Sequence, residues 1–526
     1  MSSYKDKMAW KQAELDHARA GTKLNAERLA QQKQRKGESD GGAGRRLAPF
    51  YKIMQGMPVA VDAFRYGKIP GVEAYLLTHF HSDHYTNLSS NWKNGPIYCS
   101  STTASLVKLI LKVDEKWVYT LPMDEPTIIP GTEVTVTLIE ANHCPGSVLF
   151  LLEGRQTVSA GDSKSSYRSP HIGTNRIFRY LHCGDFRASP QHILHPSIKG
   201  KKIDICYLDT TYLNPKYSFP PQRQVIDACA ALAKQHVLGA PKNTLQDALV
   251  KSEPGSNEAS ALVKEEDPED SWLNPDAEEL DDPTGGGDDI APSVEIPLVK
   301  DEECTKDVKP SDRILVVVGT YSIGKERIVK GVAHALSSKI FVEARKQSIL
   351  ACQDDPELHS MLTRDPYDAQ VHLVPLGSVN SDKIGDYLAQ FKGHFSRVLA
   401  FRPTGWTYSP PAGSEQNINM SSGALNSLIG KQQRRTFLST SLTPMRNSTW
   451  KHMLYGVPYS EHSSFIELSC FAMSLQCTKI IATVNVGRET GRARMNRWFE
   501  TWERERKKRA ERGDPAVVTF RSAEYW

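Results

Sequence analysis

Short apolar runs separated by Gly, Pro and Asn turns mark the chain from Ala48 to about Tyr217. AYLLTH (74–79), PIYCS (96–100), VTVTLIEA (134–141), SVLFLLEG (147–154), YLHCGDF (180–186) and DICYLDTTY (204–212) predict strands. SAGDSKSSYRSPHIGTNR (159–176) predicts a polar loop between two of them. From Pro221 to His236 the apolar residues take helical spacing (VIDACAALAKQ). The pattern then stops. Residues 237–310 are rich in Asp, Glu, Pro, Gly and Ser. Such a stretch cannot bury enough apolar surface to offset its ordering entropy, which predicts disorder. Folded pattern returns in RILVVVGTYSIGKERIVKGVAHAL as a strand, a tight turn and a helix, and continues through VLAFRPTGW and KIIATVNVG. The segment Arg488–Arg512 predicts a basic helix. Residues 1–47 are helix-forming but sparse in apolar positions, which predicts a frayed, basic, solvent-exposed arm.

At 526 residues there is room for two or three domains. No apolar run reaches the roughly 18 residues of a membrane helix. The N-terminus shows no apolar segment of the secretory type, so neither membrane insertion nor secretion is expected. Nine widely spaced cysteines with no CxxC pair argue against a disulfide framework and a cysteine zinc finger, and favour a reducing compartment. The net charge of +4 hides a partition. Residues 251–310 hold 19 acidic residues against 5 lysines, a net of −14 that leaves +18 on the rest. A body that basic suits a polyanion such as nucleic acid. The −14 segment reads first as a plain solvated linker; the alternative is that it folds over a basic cleft and competes with DNA. Basic runs at Lys33–Lys36 and Arg504–Arg512 suit nuclear import or DNA contact.

The densest chemistry is His79-Phe80-His81-Ser82-Asp83-His84, directly after an apolar strand. Residues two apart in extended chain point the same way, so His79, His81 and Asp83 can converge, and His84 can join as the chain turns. Imidazole and carboxylate suit Zn²⁺, and four candidates in six residues exceed what one ion needs.

HFHSDH resembles the signature of the metallo-β-lactamase superfamily, and further segments match in order: VDAF with Asp62, ANHCPG with His143, GDFR with Asp185, LDTTY with Asp209 and YSEHSS with His462. Together with GTYSIGKE and FRPTGW, these resemble the DNA cross-link repair nucleases of the β-CASP branch, most of all fungal-type 5′-exonucleases. The resemblance implies an α/β fold: a four-layer αβ/βα metallo-β-lactamase sandwich, formed by residues 48–213 and 410–500, with a β-CASP domain inserted at 214–409 and a basic tail at 501–526. It implies one or two Zn²⁺ ions, the first held by His79, His81, His143 and Asp185, the second by Asp83, His84, Asp185 and His462. Asp62 would orient ligand histidines from behind. Asp209 would do likewise or assist proton transfer, so Asp83, His84, Asp185, Asp209 and His462 bear on catalysis. The implied function is a 5′→3′ DNA exonuclease in interstrand cross-link repair, nuclear, probed by 5′-phosphorylated single strands or duplex ends, and expected as a monomer. The zinc finger that some relatives carry near the N-terminus is not expected, since no cysteine precedes Cys99.

Three alternatives stay open. One is RNA processing, against which stands Val486 (or Val484, should the register slip), where RNA-processing relatives place a histidine. The others are small thioester or lactam hydrolysis, and a scaffold with a structural zinc site. Gly319–Lys325 matches a P-loop, but Glu326 stands where nucleotide binding needs Ser or Thr. A glycine-rich turn before a helix still offers N–H groups to anions. Ser322, Gly324 and Lys325 are therefore candidates for substrate phosphate, and Ser463 and Ser464 for a terminal 5′-phosphate; a structural turn is the alternative. Arg402 is read as a structural arginine. VKSE, VKEE and VKDE around Lys251, Lys264 and Lys300 fit the SUMO-attachment pattern.

Overall fold

A computed structural model describes residues 5–17, 46–164, 168–239, 313–408 and 420–526. The acidic stretch with Lys251, Lys264 and Lys300, and the run Lys33–Lys36, lie outside the described residues.

Four short parallel strands form the first sheet in sequence order: β1 (Val59–Val61), β2 (Ala74–Leu76), β3 (Ile97–Cys99) and β4 (Val118–Thr120). The second sheet is mixed, with β5 (Thr127–Ile129), β6 (Val134–Glu140), β7 (Val148–Gly154), β8 (Phe178–His182) and β9 (Ile203–Leu208). The third is all-parallel, built from β10 (Ile314–Thr320), β11 (Lys339–Phe341), β12 (Leu362–Thr363), β13 (Ala369–Pro375), β14 (Arg397–Pro403) and β15 (His452–Val457), in the order β12-β11-β13-β10-β14-β15. The chain then returns to the second sheet, where β16 (Cys477–Ala482) adds beside β9 as its edge strand.

The apolar alternation decides how these sheets stack. Val59, Val61, Leu76, Val136, Leu138, Phe150, Leu152, Tyr180 and Tyr207 meet in one core, so the first two sheets pack face to face. Helix Ser101–Leu111 covers the outer face of the first sheet through Ala104, Leu106 and Val107. Helices Phe465–Ser474 and Glu489–Glu511 cover the second, with Phe465, Phe471, Trp498 and Trp502 buried between. The result is the four-layer sandwich that the resemblance implied. In the third sheet β10 is buried along its whole length, as expected of a continuous ILVVV run sandwiched by helices. Helices Gln222–Leu238 and Glu326–Ala335 close one face, and Ser381–Ala389 closes the other.

Three particulars differ from the sequence reading. Residues 5–17 are a helix seated on the body: the Trp10 ring lies 4.7 Å from Phe50, Asp6 pairs with Lys479 at 2.7 Å and Glu14 with Arg492 at 2.6 Å. Ala9 and Trp10 join the core between the first two sheets, and the ion pairs add to a short apolar contact. The third sheet also runs past residue 409, since β15 pairs with β14. Finally, residues 501–526 are no appendage, because Trp502, Val518 and Trp526 belong to the main core. Among the described residues no helix is long and apolar enough to cross a membrane.

Candidate metal centre

The HxHxDH segment begins where β2 ends, and its side chains meet others from four distant segments. Among the described residues, three groups of ligand-type side chains interlock: His79, His81 and His143; His79, His84 and Asp185; and His143, Asp185 and His462. Asp185 joins the last two groups. Its Oδ2 lies 3.1 Å from His84 Nε2, 3.8 Å from His79 Nε2 and 4.0 Å from His462 Nε2. His81 Nδ1 lies 3.0 Å from both His79 Nε2 and His143 Nε2.

The partners of the outer ring nitrogens fix how the rings are turned. His84 Nδ1 donates to Asp62 Oδ2 at 2.7 Å. His462 Nδ1 donates to Asp209 Oδ2 at 3.0 Å, His143 Nδ1 to the Glu461 carbonyl at 3.0 Å, and His81 Nε2 to the Ile323 carbonyl at 3.2 Å. The His81, His143 and His462 rings thus spend a proton outward and turn a lone pair inward, whereas His84 Nε2 also lies 3.1 Å from Asp185 Oδ2 and would offer a lone pair only on giving up the proton that its carboxylate neighbours favour. Burial holds His79, His81 and His143 below the ordinary histidine value, and the neighbouring imidazoles add to this for His79 and His143. For His84 burial acts in the same sense but is outweighed by Asp185, Asp83 and Asp62, which raise it. Burial would raise Asp62 and Asp209; His84 and His462 respectively outweigh it and keep both carboxyls low. Buried lone pairs facing one another beside ionised carboxylates are a donor set that fits a divalent metal ion.

Local backbone serves the same end. Asp62 takes φ 48, outside ordinary strand geometry, and accepts from Thr78 N at 2.9 Å and Thr78 Oγ1 at 2.8 Å. A side chain in the left-handed region costs about 1–3 kcal/mol, and here three hydrogen bonds fix it behind His84. Gly184, at φ 56, precedes Asp185; a Cβ there would lie 2.8 Å from Thr78 Cβ, so only glycine lets this turn approach. Asp62→Ala is expected to weaken metal binding about 10–100-fold with the ligands still in place. Chelator competition measures this, and an unchanged dissociation constant would remove the orienting role.

Of the residues singled out from sequence, His79, His81, His84, His143, Asp185, His462, Asp62 and Asp209 gather here. Asp83 stands at the open rim, its side chain 70% exposed and its Oδ2 3.4 Å from His84 Nε2, outside the three groups. The phosphate candidates are placed differently. Lys325 is buried, its backbone N–H donates to Glu461 Oε1 at 2.6 Å and its Nζ lies 3.9 Å from Glu461 Oε2. Gly324 N donates to Glu326 Oε1 at 3.1 Å. The turn's anion-binding groups are therefore spent on the protein's own carboxylates, which corrects the reading of Gly324 and Lys325 as phosphate ligands. Ser322, half-buried, gives its carbonyl to Lys346 Nζ at 2.9 Å. Ser463 and Ser464 are corrected too. Ser463 Oγ donates to the Phe186 carbonyl at 2.7 Å and accepts from Ala188 N at 2.8 Å, while Ser464 caps helix Phe465–Ser474. Both serines are buried, where no phosphate reaches them.

Similarity to known proteins agrees with this site. Residues 356–488 match the model described as DNA repair metallo-beta-lactamase, a span that includes His462. The DNA cross-link repair protein pso2/snm1 of Schizosaccharomyces pombe is 37% identical over 465 residues, 88% of this chain and 66% of that one. The DNA cross-link repair protein SNM1 of Arabidopsis thaliana is 33% identical over 473 residues, 89% of this chain and 73% of that one. The chain belongs to the family of DNA cross-link repair metallo-β-lactamases. A further family member, the 5′ exonuclease Apollo of Gallus gallus, is 38% identical over 184 residues, 35% of each chain. The chain thus spans about two thirds of its fission-yeast relative, 66%, and a smaller part of Apollo.

Sequence reasoning missed the supporting groups of this site: Thr78, the carbonyls of Ile323 and Glu461, and Arg187. Carbonyl acceptors leave no trace in side-chain identity. Glu461, the acid beside His462, was legible as a charge needing a partner once buried.

Proposed function

We propose that this chain is a zinc-dependent nuclease that hydrolyses DNA phosphodiester bonds from the 5′ end, in the nucleus, in interstrand cross-link repair. The observation that carries the reading is Asp185, one carboxylate shared by two groups of inward-facing imidazoles. The names of the relatives support the repair setting, and the name of Apollo supports 5′-exonuclease action. The +18 charge outside the acidic stretch supports a polyanionic substrate.

Zn²⁺ held by His79, His81, His84, His143, Asp185 and His462 would supply Lewis acidity and lower the pKa of a bound water toward neutrality. The chain's own residues do the rest. His79 is fully buried, whereas the side chains of His84 and His462 are 10% and 14% exposed and Asp83 lines the rim. His81 is partly exposed as well, so the centre opens where His81, His84 and His462 reach the surface beside Asp83. Asp62 and Asp209 keep the Nδ1 protons of His84 and His462 in place, so the Nε2 lone pairs stay aimed inward. Asp209 is itself fixed by Thr211 N at 2.9 Å and Thr211 Oγ1 at 2.6 Å, so this carboxylate can hold a proton at His462 Nδ1 without moving.

The test is digestion of 5′-phosphorylated, 5′-hydroxyl and matched RNA strands by zinc-loaded protein, alongside quantitation of bound zinc. Expected are zinc bound in one or two equivalents, shortening of DNA from a 5′-phosphorylated end, and loss of cleavage on chelation. Preferential cutting of RNA, or a zinc-loaded folded protein that cuts neither strand, would overturn the proposal.

A further inference from the structure

Two of the four outward proton acceptors in the metal centre depend on the inserted sheet. His81 donates to the carbonyl of Ile323, in the turn that ends β10. His143 donates to the carbonyl of Glu461, whose side chain grips that same turn. The joint is a buried charge pair: Lys325 is 4% exposed and Glu461 5%. Lys325 Nζ also lies 4.3 Å from the Tyr321 ring centroid. The backbone is shaped for it. Lys325 takes φ 69 and Gly324 φ 109, and a Cβ on Gly324 would lie 2.8 Å from Glu461 Oε2. A second lysine secures the turn from behind, since Lys346 Nζ donates to the Tyr321 and Ser322 carbonyls at 2.9 Å each and to Glu326 Oε1 at 3.2 Å.

We propose that Lys325 and Glu461 are positioning residues that seat the inserted sheet on the metal centre, and that this seating sets the tautomers in which His81 and His143 offer lone pairs to metal. The proposal rests on the metal-centre reading above. A neutral imidazole has one N–H, placed where an acceptor waits. With Ile323 seated, the proton sits on His81 Nε2 and leaves Nδ1 facing His79 and His143. Without that carbonyl, the proton can move to Nδ1, the nitrogen that lies 3.0 Å from two other ring nitrogens, where it obstructs an incoming cation. The motif that resembles a nucleotide-binding loop thus serves the metal site through a carboxylate of the protein itself.

The experiment uses the full chain, stripped of metal and titrated with Zn²⁺ and with Co²⁺, whose visible absorption reports ligand geometry. Lys325→Met keeps the stem and the backbone N–H to Glu461 Oε1 but removes the cation that faces this buried carboxylate. It is expected to weaken Zn²⁺ binding about 10–100-fold and to alter the Co²⁺ spectrum. Glu461→Gln keeps an oxygen for Lys325 N and is expected to lose less. The double variant Lys325→Met/Glu461→Gln removes the unpaired charge and is expected to recover part of the loss. Lys330→Met breaks a pair with Asp355 elsewhere on the inserted sheet's helices and should leave metal affinity unchanged. Unaltered Zn²⁺ affinity and Co²⁺ spectrum in Lys325→Met, with only the thermal midpoint lowered, would overturn the proposal by making the clasp purely structural. Should Lys325→Met not fold, Glu461→Gln carries the same decision by its Co²⁺ spectrum. Wild-type protein that binds neither ion would sink the metal-centre reading itself, an outcome distinct from unchanged variants.

Discussion

Asp185→Ala is expected to lower strand cleavage by about 10³-fold or more while the protein keeps its secondary structure. The reason lies in what surrounds the carboxylate. His84 Nε2, His79 Nε2 and His462 Nε2 all lie within 4.0 Å of Asp185 Oδ2. Removing it leaves inward-facing imidazoles with no shared anion, so bound metal falls, and with it the positive charge that would stabilise the negative charge developing at phosphorus. Asp185 is 7% exposed and sits in a turn rather than in the apolar core, so its loss bears on chemistry more than on folding. Circular dichroism checks the fold, zinc quantitation the metal, and digestion of a 5′-phosphorylated strand the rate. Undiminished cleavage by a folded, metal-depleted variant would remove Asp185 from the site. Conversely, a residual rate only tenfold lower would mean that the imidazoles alone hold the ion that matters.

The clustering imidazoles and carboxylates were legible because their chemistry is carried by side-chain identity at fixed spacing. HFHSDH after an apolar strand, and one His or Asp in each later segment, are patterns that only convergence explains. The strands were legible for a like reason: β6 and β7 show apolar runs bounded by turns, and they pair over Val134–Glu140 against Val148–Gly154. What stayed illegible depended on partners far along the chain. The turn Gly319–Lys325 offers amides and a lysine, which suits a phosphate equally well until Glu461 is placed against it. Ser463 and Ser464 are hydroxyls beside His462, and nothing local says that Phe186 and the helix end claim them. The 5–17 helix has few apolar positions, and its docking joins Ala9 and Trp10 to the core and pairs its acids with Lys479 and Arg492, more than 450 positions away. β15 belongs to the inserted sheet although it follows the boundary suggested by composition, because pairing with β14 is decided by register and not by sequence order. Local pattern fixes elements and reactive groups; long-range pairing of polar atoms decides which of those groups remain available.

Arg187→Met is expected to destabilise the folded state by about 3–5 kcal/mol, the usual cost of removing one partner from a buried ion pair. Arg187 follows Asp185 by two residues and is 4% exposed. Its Nη1 donates to the Ser460 carbonyl at 2.6 Å, its Nη2 to the Pro220 carbonyl at 3.0 Å and to Glu467 Oε1 at 2.9 Å, and its Nε lies 2.8 Å from Glu467 Oε2. The guanidinium also lies 4.9 Å from the Phe219 ring centroid. One fork therefore joins the Asp185 turn, the loop that carries His462, the chain leaving for the inserted sheet, and helix Phe465–Ser474. A lysine could not span them, since a point charge lacks the planar set of donors. Methionine fills much of the same space but leaves Glu467 charged and buried, and Glu467 already caps its helix by accepting from Ser464 N at 2.7 Å. Adding Glu467→Gln to Arg187→Met removes that stranded charge and should restore a substantial part of the stability. Denaturant midpoints of the metal-free chain measure both effects without interference from metal binding. A single variant within about 1 kcal/mol of the unaltered protein would show that these segments are held together by their apolar contacts and that the fork is dispensable.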